Sequence, residues 1–263
     1  MKTLNKVFVK LFVTVLLFVT VSNSFSQDDN VPKVGIYERL GETIPSDIIL
    51  TNESGQQVDV KSLITKPTIF SLVYFRCPGI CSPLLNGLTA VIDRTDLEPG
   101  RDFNVVTISF DQTEDYILAA GKKESYLASL NRKIPSDSWR FLSGDSVNIR
   151  KIADALGFKF ERQGNDFMHG ASIMMVTPDG KIARYLYGVD YLPFDFKMAV
   201  TEASEGKVVP SINKLMKMCF SFDPDGRKYV LNITRIAGGG ILLMLGVFIG
   251  FITLKKKKTK INK

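Results

Sequence analysis

An α/β fold, with a central sheet flanked by helices, is what this sequence predicts, and three observations predict it. Apolar runs of strand length alternate with amphipathic stretches at helical spacing from Pro67 to Phe158. A two-strand pattern around Pro178-Asp179-Gly180 follows them. Two cysteines four apart, Cys77 and Cys81, stand where the first long apolar run meets the first helix. Alternation of strand and helix implies helices on both faces of the sheet, and the closing hairpin adds antiparallel strands at one end. A cysteine pair after a central strand and at a helix start suits a thioredoxin-like architecture.

The elements follow in order. Ile49-Leu50-Thr51 and Val58-Asp59-Val60, around Asn52 to Gln57, pattern as a hairpin. Ile69 to Phe75 is rich in β-branched and aromatic residues, as a buried strand is. Leu84, Leu85, Leu88, Val91 and Ile92 recur at helical spacing and mark the buried face of the next helix. Cys81 therefore falls at or just before a helix start, where free N–H groups and the helix dipole favour a thiolate. Asp102 to Phe110 is a second strand. Thr113 to Asn131 is a helix whose expected buried face is Tyr116, Ile117, Ala120, Leu127 and Leu130. Trp139 to Leu142 is a short strand, and Asp145 to Phe158 a helix that an acidic cap opens and Gly157 closes. Ala171 to Val176 and Lys181 to Tyr187 form the clearest hairpin. Pro193 to Lys217 is helical in composition but interrupted near Gly206 and Pro210, and Asp223-Pro224-Asp225-Gly226 is a turn.

The two ends are built for a membrane. Residues 1–26 have a basic start, an apolar stretch from Leu11 to Val21 and small residues at Ser24 and Ser26, the pattern of an export signal. Residues 27–33 are a polar tether to a domain over 34–218. After a juxtamembrane segment at 219–235, residues 236–254 are all apolar or glycine apart from Thr253, long enough to span as a C-terminal transmembrane helix. The basic tail 255–263 carries four consecutive lysines, which belong on the cytoplasmic side and leave the domain facing outward. The net charge of +7 comes from these ends. Removing Lys2, Lys6, Lys10 and the six tail lysines from the 34 basic residues leaves 25 against 27 acidic ones. A near-neutral domain lacks the basic face that nucleic-acid binding requires.

Chemistry rests on few residues. A disulfide between Cys77 and Cys81 would close a very short loop and constrain the unfolded chain little, so stability is a poor reason for the pair. His169 is the one histidine of the chain. It lies in a glycine-bracketed loop, Gly164 to Gly170, that enters the hairpin strand beginning at Ala171 and can reach the cysteine turn at a neighbouring strand end. Two thiolates and one imidazole form a soft, three-ligand set that suits Cu(I), Cu(II) or Zn(II) and leaves a position open for metal transfer. A structural zinc site would normally add a fourth protein ligand. Met168 offers a thioether beside the histidine.

Cys77-Pro78-Gly79-Ile80-Cys81-Ser82-Pro83, the strand before it, and His169 with Ala171-Ser172-Ile173 ahead of Pro178-Asp179-Gly180-Lys181 resemble the Sco/SenC family over roughly residues 34–205. The segment from Cys219 to Tyr229 also resembles a pre-membrane stretch of some bacterial members. The resemblance implies a membrane-tethered, thioredoxin-fold copper protein that helps assemble the copper centre of cytochrome c oxidase. It implies Cys77, Cys81 and His169 as copper ligands, Cys77 with Cys81 as a redox pair, and the oxidase copper-centre subunit as partner. A thiol–disulfide oxidoreductase acting on that subunit is the alternative, and a peroxidase of the same fold a third reading. Three departures stand out. Met168 occupies the place of an acidic residue before the histidine, with Asp166 the candidate to substitute for it. The family's Asp-Pro-x-Arg-Asp-Thr-Pro-like stretch appears only as Asp111-Gln112-Thr113-Glu114-Asp115, and the anchor is C-terminal. Cys219 has no partner in this reading and is expected to be buried near the membrane.

Overall fold

The structure is a computed structural model that describes residues 34–210 apart from Asn165, with residues 220–223, 228–231, 244, 245 and 248. In chain order the elements are β1 (Gly35–Ile36), β2 (Ile49–Asn52), β3 (Gln57–Asp59), β4 (Thr68–Val73), α1 (Cys81–Arg94), β5 (Asn104–Ser109), α2 (Tyr116–Ser129) and β6 (Trp139–Ser143). They continue with α3 (Ser146–Ala155), β7 (Phe158–Lys159), β8 (Glu161–Gln163), β9 (Asp166–Met168), β10 (Ser172–Val176), β11 (Ile182–Tyr187) and α4 (Pro193–Ser204). β12 (Phe220–Asp223) and β13 (Lys228–Leu231) form an antiparallel pair, and the expected turn at 223–226 lies outside the described residues apart from Asp223.

The main sheet has seven strands in the order β11-β10-β4-β5-β6-β2-β3. β4, β5 and β6 run parallel at its centre. All six residues of β4 are buried, so both of its faces are covered, and its largely apolar run, broken inside only by Ser71, follows from that. Antiparallel strands lie at both ends of the sheet and not at one: β10 and β11 beside β4, and β2 and β3 beyond β6. A hairpin pattern states that two strands pair with each other; which edge they join depends on contacts with distant chain. The buried centre also carries a polar seam, in which Ser71 and Thr107 share a 2.8 Å hydrogen bond and the Trp139 indole N–H donates to Thr107 Oγ1 at 2.9 Å. Each of these buried polar atoms thus has a partner.

Helix α1 buries Cys81, Leu84, Leu85, Leu88, Val91 and Ile92, the expected face. It lies so close to the loop after β11 that a Cβ on Gly87 would come within 1.8 Å of the Val189 carbonyl oxygen. Asp145 caps α3 through the amides of Val147 and Asn148, and Gly157 ends it with φ of +63°, both as expected.

Helix α2 corrects the sequence reading. Tyr116 and Ile117 are exposed and Ala120 is half-buried; Leu127 and Leu130 pack half-buried against the core as expected, but the fully buried residues are Ala119, Lys123 and Tyr126. Lys123 can face inward because its ammonium meets Glu53 at 2.6 Å, and Glu53 is also bound by Arg140 at 2.9 Å. A paired charge tolerates burial that an unpaired one would not. The expected loop before Ala171 is also corrected: β8 and β9 pair as an antiparallel hairpin. β1, unseen in the sequence, pairs with β7.

No helix among the described residues is long and apolar enough to cross a membrane. The expected span at 236–254 falls outside the described residues except for Met244, Leu245 and Phe248. The export signal, the tether, residues 211–218, Cys219 and the lysine tail also lie outside them.

Candidate metal centre

Sheet register brings the three predicted residues together. β4 ends at Val73, and the chain turns through Cys77 before α1 begins at Cys81. β10 runs antiparallel to β4 with Ile173 opposite Ser71, so the start of β10 lies beside the end of β4. His169, just before β10, is thereby delivered to the cysteine turn across 88 residues of chain. Crevices at the carboxyl ends of parallel strands are the usual place for a site in such a sheet.

The ligand atoms of Cys77, Cys81 and His169 lie within 4.8 Å of one another. Cys81 Sγ is 3.4 Å from His169 Nε2 and accepts from the Tyr74 backbone N–H at 3.5 Å. Cys77 Sγ accepts from the Gly79 N–H at 3.3 Å. Neither cysteine is in a disulfide. His169 Nδ1 is 2.8 Å from the Gly170 carbonyl oxygen, which can only accept, so Nδ1 carries the proton and Nε2 is the bare nitrogen facing the sulfurs. Burial pushes the imidazole's pKa down and keeps it neutral, the form that binds metal. Aromatic rings hold it in place, with Phe110 at 5.0 Å, Phe158 at 5.9 Å and Tyr74 at 6.0 Å between ring centroids.

The two thiols differ, and in the opposite sense to the one the helix start suggested. Cys81 is only 2% exposed, and burial pushes its pKa up against whatever the α1 dipole offers. Cys77 is half-buried. Burial raises its pKa too, but hydrogen bonds from Cys81, the Tyr74 hydroxyl and the Gly79 N–H outweigh that and bring it below the ordinary thiol value. The thiolate-favouring position is thus Cys77.

Asp166 does not take up the role of an acid beside the histidine. Its carboxylate lies 3.4 Å from the Tyr74 hydroxyl, where it competes with Cys77 for that one proton, and the Gly170 carbonyl orients the imidazole instead. Met168 is exposed at the end of β9. The Asp111–Asp115 stretch does contribute. Glu114 turns inward and accepts from the amides of Phe75 and Arg76, two and one residues before Cys77. Asp111 meets Arg162 of β8 at 3.3 Å, and the Arg162 guanidinium lies 4.4 Å above the Phe167 ring, so the hairpin is fastened beside the centre. Sequence reasoning passed over Glu114 and Tyr74. Tyr74 reads only as one more apolar strand residue, and nothing local shows which of three carboxylates after a strand turns inward.

The arrangement is a preformed two-sulfur, one-nitrogen donor set with open positions, fit for a soft ion. Comparison with known proteins agrees with it. The chain resembles the SCO1 protein homolog of Bacillus subtilis, at 26% identity over 148 residues that cover 55% of this chain and 74% of that one. It resembles a crystallised candidate electron-transfer protein of Aquifex aeolicus VF5, with 30% identity, a TM-score of 0.57 and coverage of 64% and 95% of the two chains. Arabidopsis thaliana ScoI, solved with copper bound, shares the fold at 20% identity and a TM-score of 0.50, over 64% of this chain and 99% of that one. The SCO1/SenC family model matches residues 38–193, a stretch that holds both cysteines, the histidine and every strand of the main sheet, and the chain belongs to that family.

Proposed function

We propose that this protein is a membrane-anchored copper chaperone that holds copper between Cys77, Cys81 and His169 and delivers it to the copper-centre subunit of cytochrome c oxidase. The observation that carries the reading is the convergence of two sulfurs and one bare imidazole nitrogen within 4.8 Å in a chain of this family. Arabidopsis ScoI, which shares the fold, binds copper. Thiolate sulfur suits Cu(I), and the imidazole keeps Cu(II) competitive. Three ligands leave room for an acceptor's ligand to bind before the donor's ligands release. The export signal at 1–26, the apolar stretch at 236–254 and the lysine tail support an anchored domain on the outer face of the cytoplasmic membrane.

Anaerobic titration of the reduced protein should take up one copper per chain. Cys77→Ser and Cys81→Ser should abolish uptake, and His169→Ala should weaken it by at least about tenfold, the lower end of what losing even an outer-shell partner costs. Full affinity in His169→Ala would remove the histidine from the site.

A second reading, thiol–disulfide exchange with the oxidase subunit, is favoured by the asymmetry of the two thiols. The Cys77 thiolate would attack a target disulfide and release one target thiol. Cys81 would then displace the second target thiol, leaving a Cys77–Cys81 disulfide. That activity would survive His169→Ala.

A further inference from the structure

Glu114 is 3% exposed and belongs to no ligand set. One oxygen accepts from the Phe75 N–H at 2.6 Å and the Ser109 hydroxyl at 2.6 Å; the other accepts from the Arg76 N–H at 2.8 Å. Among the described residues no cationic side chain pairs with it. A buried carboxylate without a counter-charge is a costly way to fill space, so packing does not account for it. Its geometry does. Phe75 and Arg76 are consecutive residues at which the chain leaves β4 and stops pairing with β5, and their amides would otherwise be orphaned as the turn begins. A carboxylate offers two equivalent acceptors side by side, and these bind the two adjacent amides. Ser109, opposite Val73 in the register, ties the same carboxylate to the end of β5.

We infer that Glu114 is the positioning residue of the dithiol turn, holding Phe75 and Arg76 so that Cys77 and Cys81 keep the spacing and exposure that the centre requires. Glu114→Gln preserves volume but sets an NH₂ group against a backbone N–H, so the turn loosens on one side. In the metal-free, reduced full-length protein, alkylation of the buried Cys81 by iodoacetamide should then accelerate by about tenfold, the scale of one lost buried hydrogen bond. A rise of less than about threefold, whatever happens to the melting temperature, would overturn the inference, because a residue that only stabilises the fold leaves that rate near the wild-type value.

If Glu114→Gln does not fold, Ser109→Ala removes one donor to the carboxylate, together with the acceptor of the Asp111 N–H, and keeps both amide contacts. It should raise the Cys81 rate by more than about twofold, and a smaller change would overturn the inference. A copper readout rests on the chaperone reading: affinity in competition with a chromogenic Cu(I) chelator should fall by about tenfold in Glu114→Gln. Wild-type protein that takes up no copper would defeat that reading alone, since the alkylation rates still decide the role of Glu114.

Discussion

His169 is the only imidazole in the chain, so its ionisation can be followed without overlap. Burial among aromatic rings holds its folded pKa below the ordinary value of 6.5. The unfolded chain therefore takes up the proton first as the pH falls. Stability from this residue is present in full above pH 6.5 and is lost as the pH falls from there through the lower folded value. Urea midpoints of the metal-free protein should drop between about pH 7 and 5.5, and the drop should be smaller in His169→Gln. Asp47, Asp96, Asp102 and Asp179, each bonded to a surface cation, are held below the ordinary carboxylate value, Asp102 at about 2, and so stay out of that window. At Cys81 and Cys77 the same physics acts with two outcomes. Position at a helix start is a local property and can be read from sequence; burial of Cys81 to 2% and the hydrogen bonds gathered at Cys77 are not, and together they decide which thiol is the more acidic.

Among the elements, α1 does the most to set the centre, since Cys81 is its first residue and its packing fixes where that residue stands. The close approach at Gly87 is the test. Gly87→Ala would drive a methyl group into the Val189 carbonyl, and the helix would have to back away. A loss of about 1–3 kcal/mol is expected, the usual range for overpacking. A methyl group added at Gly121 of α2 would meet nothing within 4 Å, so Gly121→Ala should instead gain up to about 1 kcal/mol from helix propensity. Denaturant midpoints of the two variants should move in opposite directions. Both glycines sit inside helical patterns and look alike in the sequence. Likewise, the α2 pattern pointed Tyr116 and Ile117 inward because they are apolar, whereas the buried lysine that displaced them depends on a glutamate 70 residues away.

For the molecule as a whole, the centre at the ends of β4 and β10 lies apart from the ion network that ties the β2–β3 turn to α2 and β6. Glu53, between β2 and β3, joins Lys123 of α2 and Arg140 of β6, all with side chains at most 21% exposed. Glu53→Gln would leave two half-screened cations without their anion. A cost of about 2–3 kcal/mol is expected, between the values for fully buried and exposed pairs. Thermal denaturation should show that loss, while Cys77, Cys81 and His169, at the ends of β4 and β10, retain their metal affinity. A fall in both together would mean that the two regions are coupled.

Local periodicity, capping and turn chemistry determined the order of strands and helices from β2 to α4 apart from β7, β8 and β9, together with the α1 face, the α3 cap and the β10–β11 hairpin. The close cysteine pair, the lone histidine and the resemblance to the Sco/SenC family also offered Cys77, Cys81 and His169 as candidate ligands. Only the tertiary structure decided that the sheet has antiparallel strands at both edges, that Cys77 is the more acidic thiol, that a backbone carbonyl orients His169, and that Glu114 grips the turn. Propensity and pattern act over neighbouring residues, whereas burial, register and charge pairing are sums over atoms that only folding brings together.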